Sequence, residues 1–218
     1  RMLDEQGEPL LPSEFLPAAE RNNLLKTIDR WMIGASIRYA LKEKADTVFV
    51  RLSSQSLRDR TLIEWLIAEL NSQGLPGKHV CLQVAEKDAA RYIKQVRNIV
   101  TELKKVDIRL ALEHYGVDKG RVQILDLLRP DYIKIDGELM HSLMTDTAMQ
   151  EKVKHVVSEA AKRDIETIAE RVEDANAMAV LFQLGISYMQ GHYVHEPEVV
   201  LQDPNSGVHN TLEAIAGA

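Results

Sequence analysis

The chain has 218 residues, 45% hydrophobic and 28% charged, which suffices for one sizeable core and excludes a disordered chain. A formal net charge of −6 argues against a general nucleic-acid binder, so an anionic ligand would need a local cluster of Arg and Lys. Cys81 is the only cysteine, which excludes a disulfide frame and a cysteine-based zinc site and fits a reducing cytoplasm. No apolar run reaches the roughly 18 residues of a membrane helix, so no membrane span is expected. Arg1 starts the sequence without a Met, as in a piece of a longer chain.

Helical and extended patterns alternate. Apolar residues at i, i+3, i+4 and i+7 predict a helix over 24–44, and β-branched residues predict a strand over 47–52. A second helix is expected from a Thr61 cap to a Gly74 stop. Further strands are expected at 79–85, 108–114, 131–136, 166–170 and 186–191. The helices between them are expected at 89–106, 121–129, 148–163 and 174–185. Trp31 and Trp65 lie at helical spacing among aliphatics and are expected in the core. Beyond Pro197 a short strand is expected, then a turn-rich break at Asp203, Pro204, Asn205 and Gly207.

Strands alternating with helices imply βα units around a mostly parallel sheet, and near-continuous apolar strands imply one covered on both faces. Phosphate loops of the GxGxxG or GxxxxGK[ST] kind are absent. Arg51, Gln83, Glu113, Lys134, Glu170 and Gln190 each fall at or just before the C-terminal end of a predicted strand. A doubly wound sheet would concentrate such residues at one switch point. A TIM-type (β/α) barrel rings them around one mouth, and that is the fold predicted. The run "LALEHYG" (110–116) delivers Glu113 and His114 to that mouth. Neighbours on a continuous strand point to opposite faces, so the pair ligates one metal only if the strand breaks between them.

In order along the chain, "PSEFLPAAERNNLL", "IDRWMI", "VFVRLSSQSL", "LQVAEKD", "LALEHYG", "YIKIDGELM", "IAERVED" and "SYMQGHYVHEP" stand where known motifs stand. The sequence resembles the EAL domain family, the cyclic di-GMP phosphodiesterase fold. The corresponding motifs are SPxEFIPxAExxGLI, xxRWVL, VNLSxxQL, ExTES, LDDFG, LKIDxSFV, AEGVE and DxxQGYxFxxP. The naming EALxR motif would end at Arg1, so the resemblance implies that the chain starts just inside the domain, without its first strand. It implies a barrel over 1–199 and a tail over 200–218.

The resemblance also implies a lost metal site. Active members are thought to hold two divalent ions on hard oxygen donors. Arg51 stands where the family has Asn, and a guanidinium repels a cation. Gln83 stands for the first Glu of ExTES, and Glu113-His114 for Asp-Asp. Lys119 and Arg121 add charge to the following loop, whereas Glu86, Lys134, Asp136, Glu170 and Gln190 stand as in active members. No catalytic residue, bound metal or cofactor is therefore expected. The resemblance retains nucleotide-binding positions: Arg1, Pro12, Asp29, Glu173, Gln190 and Gly191. Asp29 and Glu173 are implied to accept from guanine N–H donors, although acids near helix starts are commonly just solvated. Arg51 is expected to pair with a neighbouring acid, and a sharper reading has its charge replace a metal by bridging Glu170 or Glu113. Lys134 and Glu170 are expected to form a buried structural pair.

The closest texture is that of the FimX-type receptors of type IV pilus control. The implied function is an inactive cyclic di-GMP receptor that signals by protein contact, with a PilZ-type protein or a pilus motor component as partner. The resemblance leaves open a homodimer, a slow phosphodiesterase using Glu86, Glu113, His114 and Glu170, and an interaction module that no longer binds the nucleotide.

Overall fold

The computed structural model describes residues 2–3, 6, 9–116, 122–141, 143 and 146–195. Arg1, Lys119, Arg121 and the segment 200–218 lie outside the described residues. Two short strands, β1 (Met2–Leu3) and β2 (Pro9–Leu10), pair antiparallel. Helices α1 (Pro12–Arg21) and α2 (Leu25–Glu43) follow. From β3 (Val48–Arg51) onward, strands and helices alternate. Helix α3 (Leu62–Gln73) leads to β4 (Val80–Ala85), and α4 (Glu86–Arg91) and α5 (Ile93–Lys104) lead to β5 (Arg109–Tyr115). Then come α6 (Val122–Leu128), β6 (Tyr132–Ile135), α7 (Gly137–His141), α8 (Thr147–Ala161) and β7 (Glu166–Ala169). Helix α9 (Ala175–Gln183) and β8 (Tyr188–Met189) complete the series.

The 6-stranded sheet runs in the order β3-β4-β5-β6-β7-β8, and every pair is parallel. It is the curled sheet of a TIM-type barrel, with no pairing between β3 and β8 among the described residues. Strand period sorts the side chains into two sets. Val48, Val50, Val80, Leu82, Val84, Leu110 and Leu112 belong to one cluster with Ile33, Ile37, Leu62, Leu66 and Val96 from the helices. Cys81, Ala111, Tyr132 and Ile168 form a smaller cluster on the opposite, inner face. The rings of Phe49, Tyr132 and Tyr188 meet edge-to-face there, at centroid distances of 5.2 and 6.1 Å. The same period carries Arg51, Gln83, Glu113 and Lys134 inward, near the C-terminal rim where barrels build sites.

Several local expectations need correction. The helix expected over 89–106 breaks at Tyr92 (φ −113, ψ 36), which separates α4 from α5. The Tyr92 ring lies between the guanidiniums of Arg58 and Arg91, at 5.7 and 5.4 Å. Thr61 stands at the start of α3 without a side-chain cap. Its hydroxyl instead bonds Asp59 Oδ1 at 2.8 Å and accepts from Arg30 at 2.7 Å. Gly74 ends the helix at φ 71, as expected of a left-handed stop. Trp31 is 57% exposed rather than in the core. The buried stripe of α2 is Leu25, Asp29, Ile33, Ile37 and Ala40, and two residues from that stripe is the far side of a helix. Trp65 packs half-buried on the core beneath the Arg30 guanidinium.

Candidate functional site

At the inner rim four charged side chains face one another, two of them nearly sealed from water. Arg51 Nε lies 3.1 Å from Glu113 Oε2. Lys134 Nζ lies 3.8 Å from Glu113 Oε1 and 2.9 Å from Glu170 Oε1. Two cations thus face two carboxylates and neutralise them. The Lys134 and Glu113 side chains are 7% and 8% exposed, so each charge depends on its partner. Glu113 Oε2 makes no hydrogen bond despite its short distance to Arg51, so that contact is an ion pair without hydrogen-bond geometry. Gln83 pairs with Arg51 in strand register, and its buried Oε1 has no hydrogen-bond partner among the described residues.

The break needed to bring Glu113 and His114 together is present, yet the two side chains go to different partners. The β5–β6 register shifts between Leu112 and Tyr115, and His114 takes a left-handed φ of 55. A bulge of this kind re-aims a side chain. His114 Nδ1 lies 2.8 Å from Asp136 Oδ2. Asp136 Oδ1 accepts from Glu138 N at 2.8 Å at the start of α7. Buried Glu86 accepts from Gly116 N at 3.2 Å.

Among the described residues, no three His, Cys, Asp or Glu side chains converge to hold an ion. Here the donor chemistry decides. Glu113 and Glu170 are neutralised by cations, Asp136 is shared between a helix start and a histidine, and Arg51 cannot donate an electron pair. These residues do not fit a pair of divalent ions. Cys81, on the inner face, is no substitute ligand, because burial pushes its thiol well above its usual range.

The other expected positions lie on separate elements. Pro12 opens α1 as its first residue, where a missing N–H costs nothing. Asp29 is buried within α2 and is no solvated helix-start acid. Its Oδ2 accepts from Ser53 N at 2.8 Å and Ser53 Oγ at 2.6 Å. Gln190 anchors backbone: its N–H donates to Ala169 O at 2.8 Å and its carbonyl accepts from Val172 N at 3.0 Å. Gly191 has a steric reason to be glycine, since a Cβ there would lie 2.2 Å from Val172 O and 2.3 Å from Val172 N. Those contacts clamp the loop 170–173 against the β8 exit, and Asp174 caps α9 beyond it through Ala177 N at 2.8 Å.

That loop borders a cavity of about 360 Å³, lined by Gly137, Glu138 and Met140 on one side and Arg171, Glu173 and Asp174 on the other. Glu173 is exposed, and it makes no ion pair among the described residues. Arg171 is a residue the sequence reading misses. It holds a left-handed φ of 56, and its Cδ and Cγ would lie 2.5 and 2.9 Å from a Cβ on Gly137. The signal was the Arg of "IAERVED" at the glycine of AEGVE. A second cavity of about 620 Å³ runs along the inner face past Phe49, Gln83, Arg109, Tyr132, Lys134 and Gln190.

A parallel (β/α) barrel with its polar residues at the C-terminal strand ends places the protein in the TIM-type class. The chain belongs to the EAL domain family, which matches residues 1–197. The FimX EAL domain from Pseudomonas aeruginosa, solved bound to cyclic di-GMP, is similar to it at 33% identity. The likeness covers 93% of this chain and 84% of that one, with a TM-score of 0.87. The Xanthomonas citri FimX EAL domain, also in complex with cyclic di-GMP, is 26% identical over 91% of this chain and 81% of that one, with a TM-score of 0.85. Cyclic di-GMP phosphodiesterase PdeB of Shewanella oneidensis is 27% identical over 91% of this chain and 24% of its own length. The chain thus spans about a quarter of the curated relatives it matches. A FimX-like EAL barrel is established, and its six parallel strands agree with an EAL barrel whose first strand is not among the described residues. No helix described is long and apolar enough to cross a membrane.

Proposed function

We propose that this domain is a cyclic di-GMP receptor without phosphodiesterase activity. One observation carries the reading: Arg51, a cation where the family has Asn, lies 3.1 Å from Glu113 in the ring of the family's metal-site positions. Ions that would activate water and clamp a phosphate are repelled by the Arg51 guanidinium, which offers them no electron pair. The dinucleotide binds at the C-terminal mouth through Arg1, Pro12, Asp29, Glu173, Gln190 and Gly191, with no metal. Guanine presents N–H donors on one edge, and carboxylates such as Asp29 and Glu173 accept them.

The same reading assigns the output. A bound state without a product is passed on by contact, and the role assigned is a cytoplasmic one in type IV pilus control. The partner proposed is a PilZ-type protein or a pilus motor component; a homodimer is the alternative assembly.

Calorimetry with cyclic di-GMP in EDTA, followed by product analysis after incubation with Mg²⁺ or Mn²⁺, tests this. The expected result is binding in EDTA and no linear dinucleotide. Linear product that forms with metal and disappears with chelator would establish a phosphodiesterase instead. Absence of heat would leave an interaction module.

A further inference from the structure

Arg171 packs its stem on Gly137 from a backbone position that favours glycine. A non-glycine residue in the left-handed region costs roughly 1 kcal/mol, and the AEGVE pattern has a glycine at this position. Here Arg171 bears that cost at φ 56, and Gly137 leaves the room its side chain needs: Cδ would lie 2.5 Å from any Cβ there. The stem is held against α7, yet the side chain is exposed and has no ion-pair partner among the described residues. It lines the same cavity of about 360 Å³ as Glu173, within the range of small-molecule pockets. One wall thus presents a planar donor fork and a carboxylate acceptor, with only Val172 between them in sequence.

Guanine fits that combination among the nucleobases. Its N1–H and exocyclic amine donate, while O6 and N7 on the adjoining edge accept; Arg is the side chain that reads O6 and N7 in a bidentate way. We propose that Arg171 binds the O6/N7 edge of the guanine whose N–H edge Glu173 accepts, so that two faces of one base are read in this cavity. The inference rests on the cyclic di-GMP reading of the domain and adds a base-selective contact particular to this chain.

The test pairs a variant with a ligand analogue. Arg171→Gly removes the fork and relieves the left-handed strain, so the variant is expected to melt no lower than the parent. The 218-residue protein and the variant are each titrated with cyclic di-GMP and with its 7-deazaguanine analogue, which lacks the N7 acceptor. The expected result is about a tenfold weaker Kd for the variant toward cyclic di-GMP. The parent loses a similar factor with the analogue, and the variant loses nothing further with it. Equal binding by parent and variant would overturn the Arg171 contact and leave the receptor reading intact. Losses that simply multiply would put the cation on a phosphate and overturn the base-edge assignment. No binding of cyclic di-GMP by the parent would remove both.

Discussion

The inner rim and the loop 170–173 both carry charge, and they spend it differently. At the rim, Arg51, Glu113, Lys134 and Glu170 meet one another across strands, and Lys134 and Glu113 are nearly sealed from water. A few residues on, Arg171 and Glu173 are exposed beside a cavity, without ion-pair partners among the described residues, on a backbone held by Gln190 and Gly191. Charges that satisfy each other contribute to the fold. Charges held in place and left unsatisfied are available to a ligand. On the proposed function, the contrast sets nucleotide recognition one loop away from the altered metal-site positions.

Replacing Lys134 should break the contrast most severely. Lys134→Met leaves Glu170 without its 2.9 Å partner and Glu113 with Arg51 alone. An uncompensated buried charge costs about 3 kcal/mol or more, and thermal unfolding should show a Tm lower by on the order of 10 °C. An unchanged Tm would mean that these ion pairs hold nothing together. Gly191→Ala comes next. Its Cβ would meet the Val172 backbone, so a loss of about 2 kcal/mol is expected in denaturant unfolding, together with weaker nucleotide binding as the loop shifts. Wild-type stability in that variant would show that the 2.2 Å approach relaxes without consequence.

Glu173→Ala sharpens the other side of the comparison. The residue is exposed and unpaired among the described residues, so the melting temperature should hold while cyclic di-GMP affinity falls about tenfold. Calorimetry giving an undiminished affinity would remove Glu173 from the binding site. Arg51→Asn should have the smallest effect. Arg51 is 59% exposed, so solvent screens its pairing and the cost is about 1 kcal/mol, a few degrees in Tm. No change at all in either stability or nucleotide binding would sink the idea that its charge stands in for a metal.

Much of the barrel could be read from the sequence because parallel strands buried on both faces write themselves as apolar runs, and their polar residues cluster where the runs stop. Arg51, Gln83, Glu113 and Lys134 were found that way, and register places them on the inner face. Pairing was less visible. Nothing local says that Arg51 reaches Glu113 across β4 while His114 turns to Asp136, because a bulge decides it. Helix α1 has no counterpart among the expected elements, and Pro17, of a type disfavoured in helix interiors, sits inside it. Trp31 misled because helical spacing fixes a face only once the buried stripe is known. Arg171 was missed because its meaning lies in a backbone angle and in the missing Cβ of Gly137, neither of which periodicity records.

On the proposed function, Arg51 and Lys134 balance the charge at the family's metal-site positions, and divalent ions do not enter. Titrating Mn²⁺ into the protein saturated with cyclic di-GMP, by calorimetry, tests it most directly. No stoichiometric uptake is expected, and the dinucleotide should be recovered intact afterwards. Uptake of two ions per chain, with linear dinucleotide accumulating, would contradict it.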